Sequence, residues 1–189
     1  MQRVARITLV AAVLLAGGCA YLSEKQGELI FRPSKQAWRG VNGADRGFQE
    51  HWIAVGDEQK LHAWWLEGNT PDAPAVLYLH GARWNLTGSV TRIERWRELG
   101  FAVLAVDYRG FGESSDVAPT EALAYEDAEA AWGYLARTAP GRKRYIVGHS
   151  LGGAIAAART LPSATEDTFT SVSLLKRAEP GLAPLAYKR

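Results

Sequence analysis

The feature that most constrains this chain is the run Tyr145-Ile146-Val147-Gly148-His149-Ser150-Leu151-Gly152-Gly153. Apolar, β-favouring residues lead into it. An Ala-rich stretch, 154–161, leads out and is ended by Pro162. A short buried strand must therefore turn sharply into a helix, with Ser150 at the turn. Such a turn forces two backbone segments together and strains the residue at its apex. Glycines two before and two after Ser150 remove the Cβ atoms that would clash. The hydroxyl is then raised above the end of the strand, at the positive end of the following helix. We expect Ser150 to be a nucleophile held there by Gly148 and Gly152.

The rest of the chain supplies a sheet for that turn. Stretches 48–55 and 60–66 are rich in aromatic and β-branched residues and flank Gly56-Asp57-Glu58, which predicts a hairpin. The run 75–79 follows Pro74 and is short and apolar, as suits a buried parallel strand. Val90, Ile93, Trp96 and Leu99 recur every third residue, which predicts a helix over 89–99 ended by Gly100. Residues 101–106 form another apolar run. Thr120 is placed to cap a helix reaching Thr138, with Ala128, Ala131, Trp132 and Leu135 on one face and Pro140-Gly141 as its stop. Residues 145–147 give a third apolar strand. A short strand at 28–32 and a last one at 169–175 complete the reading. The pattern predicts an α/β fold, mostly parallel after its first strands, with flanking helices.

Composition narrows the function classes. The chain has 189 residues and a formal net charge of +2, with 22 basic and 20 acidic residues. One domain is expected at this length. The charge offers no excess to neutralise phosphates, so we expect no nucleic-acid partner. A single cysteine excludes an intrachain disulfide and a multi-cysteine zinc site. We expect no metal and no cofactor. The N-terminus has its own logic. Arg3 and Arg6 precede an apolar run, 7–15, then Ala16-Gly17-Gly18, the pattern of a secretory signal and too short to span a bilayer comfortably. Loss of that leader would leave equal numbers of basic and acidic residues. We divide the chain into a signal at 1–18, a tether and lead-in at 19–45, and a folded domain at 46–189.

Two resemblances add to this. Leu15-Ala16-Gly17-Gly18-Cys19 resembles a bacterial lipobox, in which the leader is cut before the cysteine and the thiol is lipidated. That resemblance implies a membrane partner through a lipid anchor on Cys19. With Ala20 following, it implies a place in the cell envelope, on the outer membrane facing the periplasm. The stretch 148–153 resembles the elbow of the α/β-hydrolase superfamily. Leu79-His80-Gly81-Ala82 resembles that superfamily's oxyanion loop, and Asp107-Tyr108-Arg109-Gly110-Phe111-Gly112-Glu113-Ser114 resembles its D-x-R-G-x-G-x-S turn. With the lead-in 29–33, the order is most similar to the serine aminopeptidase-like branch. The resemblance covers about 28–161. It implies cleavage of a small-molecule ester or amide through a Ser150 acyl-enzyme, with the backbone N–H groups of Ala82 and Leu151 as the oxyanion hole. His80 and Gly81 would shape the loop, His149 would point into the structure, and Asp107 and Arg109 would hold the turn. Trp84 would line a pocket. His51 and His62 would lie on the hairpin, far from the chemistry.

The resemblance also implies a downstream acid and histidine. No His occurs in 151–189, and the four histidines, His51, His62, His80 and His149, all precede the nucleophile. Glu166, Asp167 and Glu179 follow it without marking one as the acid. We expect an incomplete chain lacking its C-terminal strands, since 178–189 does not read as a helix or strand. A short inactive variant, serving as an anchored binding or scaffold module, and a base from another residue are the alternatives.

Overall fold

The computed structural model describes Gly18, Gly27 and residues 29–160. Residues 1–17 of the leader, Cys19, the strand expected at 169–175 and the carboxylates after 160 lie outside the described residues. Among the described residues five strands form one sheet: β1 (Gln49–Val55), β2 (Gln59–Leu66), β3 (Ala75–Leu79), β4 (Ala102–Val106) and β5 (Arg144–Gly148). Their order is β1-β2-β4-β3-β5. The hairpin β1–β2 forms as expected, around Gly56 in a left-handed conformation. β2 pairs antiparallel with β4, while β3 lies parallel between β4 and β5. β3 and β4, inside the sheet, are buried along their whole length because both faces are covered.

Among the described residues three helices cover those faces: α1 (Val90–Glu98), α2 (Glu121–Thr138) and α3 (Leu151–Thr160). Alternation along each strand divides the core in two. On one face Leu77, Leu79, Leu104, Val106 and Ile146 pack with Ala128, Ala131 and Leu135 of α2 and Ile155 of α3. On the other, Val76, Tyr78, Val103 and Val147 pack with Val90 and Ile93 of α1. Thr120 caps α2 as expected, its side chain accepting from the Leu123 N–H at 3.2 Å. One expectation fails near the start. Leu29, Ile30 and Phe31 are helical where a strand was expected. Phe31 is buried in the larger core cluster while Leu29 and Ile30 are exposed, so the apolar run serves one contact and not a pleated face.

The lead-in is laced onto the loops. The Phe31 carbonyl accepts from the Arg83 N–H at 2.8 Å, and the Ser34 carbonyl from Gly112 N–H at 2.9 Å. Asn85 Nδ2 donates to the Ser34 and Gln36 carbonyls at 3.2 and 3.0 Å.

A buried ion pair ties the loop after β4 to α2. Arg109 Nε donates to Asp127 Oδ1 at 2.6 Å and its backbone N–H to Oδ2 at 2.8 Å. The same guanidinium reaches Glu126 and Gln59. Breaking a buried pair leaves a charge without compensation. Asp127→Ala is therefore expected to lower stability by about 3–5 kcal/mol, read as a fall in the urea unfolding midpoint.

Candidate active site

Chain topology chooses the place. The connection after β3 runs onto one face of the sheet through α1, and the connection after β5 runs onto the other through α3. β3 and β5 are neighbours. Where adjacent parallel strands send their chains to opposite faces, a crevice opens at their carboxyl ends. His80 and Gly81 follow β3 at that edge, Asp107 follows β4, and Ser150 follows β5.

Ser150 has φ = 55°, one of four non-glycine residues described with positive φ. That conformation is costly for a residue with a Cβ, and it persists because the surroundings force it. The forcing is visible at the two glycines. A Cβ on Gly148 would fall 2.1 Å from the Gly152 carbonyl carbon. One on Gly152 would fall 2.2 Å from the Leu79 carbonyl oxygen. The strand end, the helix start and the end of β3 are thus in backbone contact. The His149 N–H donates to the Leu79 carbonyl at 3.0 Å, which fixes the approach. Ser150 is exposed and sits where α3 begins.

The loop after β3 lies directly against this turn. A Cβ on Gly81 would come 3.1 Å from His149 Nδ1 and 3.3 Å from Ser150 Cβ. Ala82 is half-buried beside it. Among the described residues, the N–H groups of Ala82 and Leu151 donate to no backbone carbonyl, whereas those of Arg83, Gly152 and Gly153 do. The structure thus brings Ser150, Gly81, Ala82 and Leu151 together. Among the described residues no imidazole or carboxylate hydrogen-bonds to Ser150. His149 departs from expectation, since it is exposed and lies over Gly81. Partial burial, then electrostatic interaction with Arg92 and His80, lowers its pKa.

Behind the loop is a buried polar cluster. His80 is 1% exposed; its Nδ1 lies 2.7 Å from the Gly81 carbonyl and its Nε2 3.2 Å from Asp107 Oδ1. Asp107 is itself buried, and its Oδ1 accepts from the Leu86 N–H at 2.8 Å. Its Oδ2 lies 3.5 Å from His62 Nδ1. Both imidazole contacts with Asp107 are ion-pair approaches without hydrogen-bond alignment. Gly112 makes room for this carboxylate, since a Cβ there would fall 2.0 Å from Oδ2. Ser114 Oγ donates to the Asp107 carbonyl at 2.7 Å and accepts from the His62 N–H at 2.8 Å. Asp107 and Arg109 therefore do hold the turn, through different partners. His62 is not remote, contrary to expectation. The β2–β4 pairing, with Ala63 opposite Val106, sets it beside Asp107.

Trp84 is exposed, with its ring 4.1 Å from that of Trp38 at a steep angle. It lines an open cavity of about 850 Å³ with Arg32, Pro33, Arg83 and Pro119. Ser150 is not among that cavity's walls. His51 is far from this cluster, its Nδ1 3.0 Å from the Tyr134 hydroxyl of α2.

Fold and turn together are those of an α/β-hydrolase. The α/β-hydrolase of Vibrio vulnificus superposes with a TM-score of 0.59 at 24% identity, over 78% of this chain and 56% of that one. Residues 70–172 match the serine aminopeptidase, S33, family, and the chain belongs to that family. Lysophosphatidylserine lipase ABHD12 of Rattus norvegicus is 31% identical over 100 residues, which is 51% of this chain and 25% of that protein. Lysophospholipase L2 of Escherichia coli strain K12 is 40% identical over 65 residues, 30% of this chain and 19% of that protein. The chain thus spans a quarter or less of the length of these two relatives.

Burial would lower the His62 pKa, but the carboxylates of Asp107 and Glu50 outweigh it and raise it. Burial would raise the Asp107 pKa, but His62 and His80 outweigh it and lower it. A raised histidine pKa stabilises the fold fully below about pH 6.5, and the effect fades as pH climbs through the folded value. A lowered carboxyl pKa stabilises fully above about pH 4, and the effect fades as pH falls through the folded value. His62→Gln is therefore expected to lose most stability, relative to the parent, near pH 6. The gap should narrow above that, as measured by urea midpoints across pH 5–9.

Proposed function

We propose that this chain is a serine hydrolase that cleaves a carboxylic ester through a Ser150 acyl-enzyme. The observation that carries the reading is Ser150 at positive φ on a strand-to-helix turn, pressed against the Gly81–Ala82 loop. In this reading Ser150 Oγ attacks the ester carbonyl carbon and its proton passes to a base. The carbonyl oxygen becomes an oxyanion, held by the N–H groups of Ala82 and Leu151. The start of α3 adds its positive dipole end. Collapse expels the alcohol, which takes up a proton, and water then releases the acid from Ser150. Acyl esters of lipids are the substrates to try first, because two relatives are by name a lysophosphatidylserine lipase and a lysophospholipase.

A specific observation favours a second reading, an anchored module without turnover. Among the described residues no base is bonded to Ser150, and a serine without one is a weak nucleophile. A fluorophosphonate probe separates the two. We expect labelling of the parent and none of Ser150→Ala. An unlabelled but folded parent would favour the module. A partial machine retaining only the oxyanion donors is expected to give a residual rate about 10³–10⁴ above water.

We further propose that Cys19 is lipidated and that the chain sits in the bacterial envelope, on the outer membrane. The support is the small-residue run before the sole cysteine. Expressed in a bacterium fed an alkyne fatty acid, the parent is expected to carry the label and Cys19→Ser to lose it. A labelled Cys19→Ser would refute the anchor.

A further inference from the structure

Asp107 is 2% exposed, and among the described residues no lysine or arginine pairs with it. Its charged neighbours are the imidazoles of His62 and His80. A buried carboxylate is strongly disfavoured without compensating charge. The three groups therefore form one buried polar unit, with Asp107 between the two imidazoles.

That unit acts on one peptide plane. A carbonyl oxygen only accepts, so the 2.7 Å contact between His80 Nδ1 and the Gly81 carbonyl requires a proton on Nδ1. Nε2 of the same ring faces Asp107 Oδ1. The ring thereby bridges the Gly81 carbonyl and the Asp107 carboxylate. The Gly81 carbonyl and the Ala82 N–H belong to the same planar peptide unit. Fixing the oxygen fixes the direction of the N–H. On the far side of Asp107, His62 completes the chain and opens it to solvent, with Nε2 3.1 Å from Oε1 of the exposed Glu50.

We propose that His62 is a positioning residue, acting through Asp107 and His80 to aim the Ala82 N–H, so that the aim depends on the charge of His62. This rests on the reading of Ala82 as an oxyanion donor. The groups that face His62 are Asp107 from the loop after β4, Glu50 and the Trp52 ring from β1, and Trp64 from its own strand. Lys60 places its ammonium 3.9 Å from the Trp52 ring centroid. His80 meets Asp107, the rings of Tyr108 and Phe111, and the field of His149. Of the two carboxylates that pair with His62 among the described residues, Glu50 is exposed and Asp107 is buried.

Two measurements on the same chain test this. In the first, histidine-ring and amide NMR are followed across pH 5–9 for the parent, Glu50→Gln and His62→Gln. The Ala82 amide shift is expected to follow the His62 titration. In Glu50→Gln both midpoints should move together to lower pH, by about 0.5 unit. In His62→Gln the Ala82 shift should lose that transition. In the second, the fluorophosphonate labelling rate is measured over the same range. The proposal expects an alkaline limb that Glu50→Gln moves with the NMR midpoint. It expects His62→Gln to lower the maximal labelling rate about tenfold, within the range known for weakened oxyanion donors, with little change in the half-saturating probe concentration. Glu50→Gln touches an exposed side chain, so it decides the matter even if His62→Gln fails to fold. An Ala82 shift indifferent to His62 overturns the proposal. So does a labelling profile that stays put while the His62 midpoint moves. If the parent is not labelled at all, the hydrolase reading fails, and the Ala82 shift still decides for or against the positioning role.

Discussion

Everything at this site depends on a contact with no room for a side chain. The start of α3 lies so close to the end of β3 that a Cβ at Gly152 would fall 2.5 Å from the His80 carbonyl oxygen. The strand feeding α3 is pressed equally hard, with Gly148 against the backbone of Gly152. Glycine is the residue that permits such approach. Once those segments touch, Ser150 has nowhere to go but into a left-handed conformation at the apex. The same contact brings the loop after β3 alongside the hydroxyl. One steric fact therefore places the proposed nucleophile and the proposed oxyanion donors together.

Two buried ionic clusters flank the loop after β4, and they differ in kind. Arg109 is held to Asp127 by a guanidinium that stays charged at any working pH. It fixes the loop to α2 as a permanent anchor. Asp107, two residues earlier, lies between two imidazoles, and it raises the pKa of one of them, His62. The first cluster is structural in the plain sense. The second touches the Gly81–Ala82 loop, and its strength follows the charge of His62. A single turn thus joins a fixed support on one side to a titrating one on the other.

Much of this was legible in the sequence. The glycine spacing around Ser150, the apolar strand before it and the Ala-rich helix after it all concern near neighbours along the chain, where local sterics decide. The hairpin at Gly56, the Thr120 cap and the parallel strands were readable for the same reason. What sequence hid was long-range. His62 sits on a strand of aromatic and apolar residues and reads as a packing residue until β2 is paired with β4. Only that register sets it beside Asp107. The run 29–31 looked like a strand by composition, yet tertiary packing needed one side chain from it, Phe31, and took it from a helical turn. His149 went wrong for a related reason. Which way a side chain leaves a strained turn depends on the neighbouring loop, and here Gly81 leaves it space.

The same long-range view explains how the Gly81–Ala82 loop is kept still. From inside, His80 holds the Gly81 carbonyl against the Asp107 carboxylate. From outside, the next residue but one is held by the lead-in, through the Arg83 N–H and the Phe31 carbonyl. Arg83 has φ = 79°, so this outer bond is made at the cost of backbone strain. Asn85 then ties the following turn to Ser34 and Gln36. The Ala82 peptide is thus bracketed by two restraints only a few residues apart. Electrostatic stabilisation of a transition state requires donors that do not reorganise when charge develops. In the proposed reaction a loop clamped from both sides would meet that requirement, whereas one held only by its ends would give up part of the gain in moving toward the oxyanion. Residues 31–36 would share in that requirement with the motif residues, although in the sequence 29–33 stood out only as a lead-in shared with the family and not as part of a site.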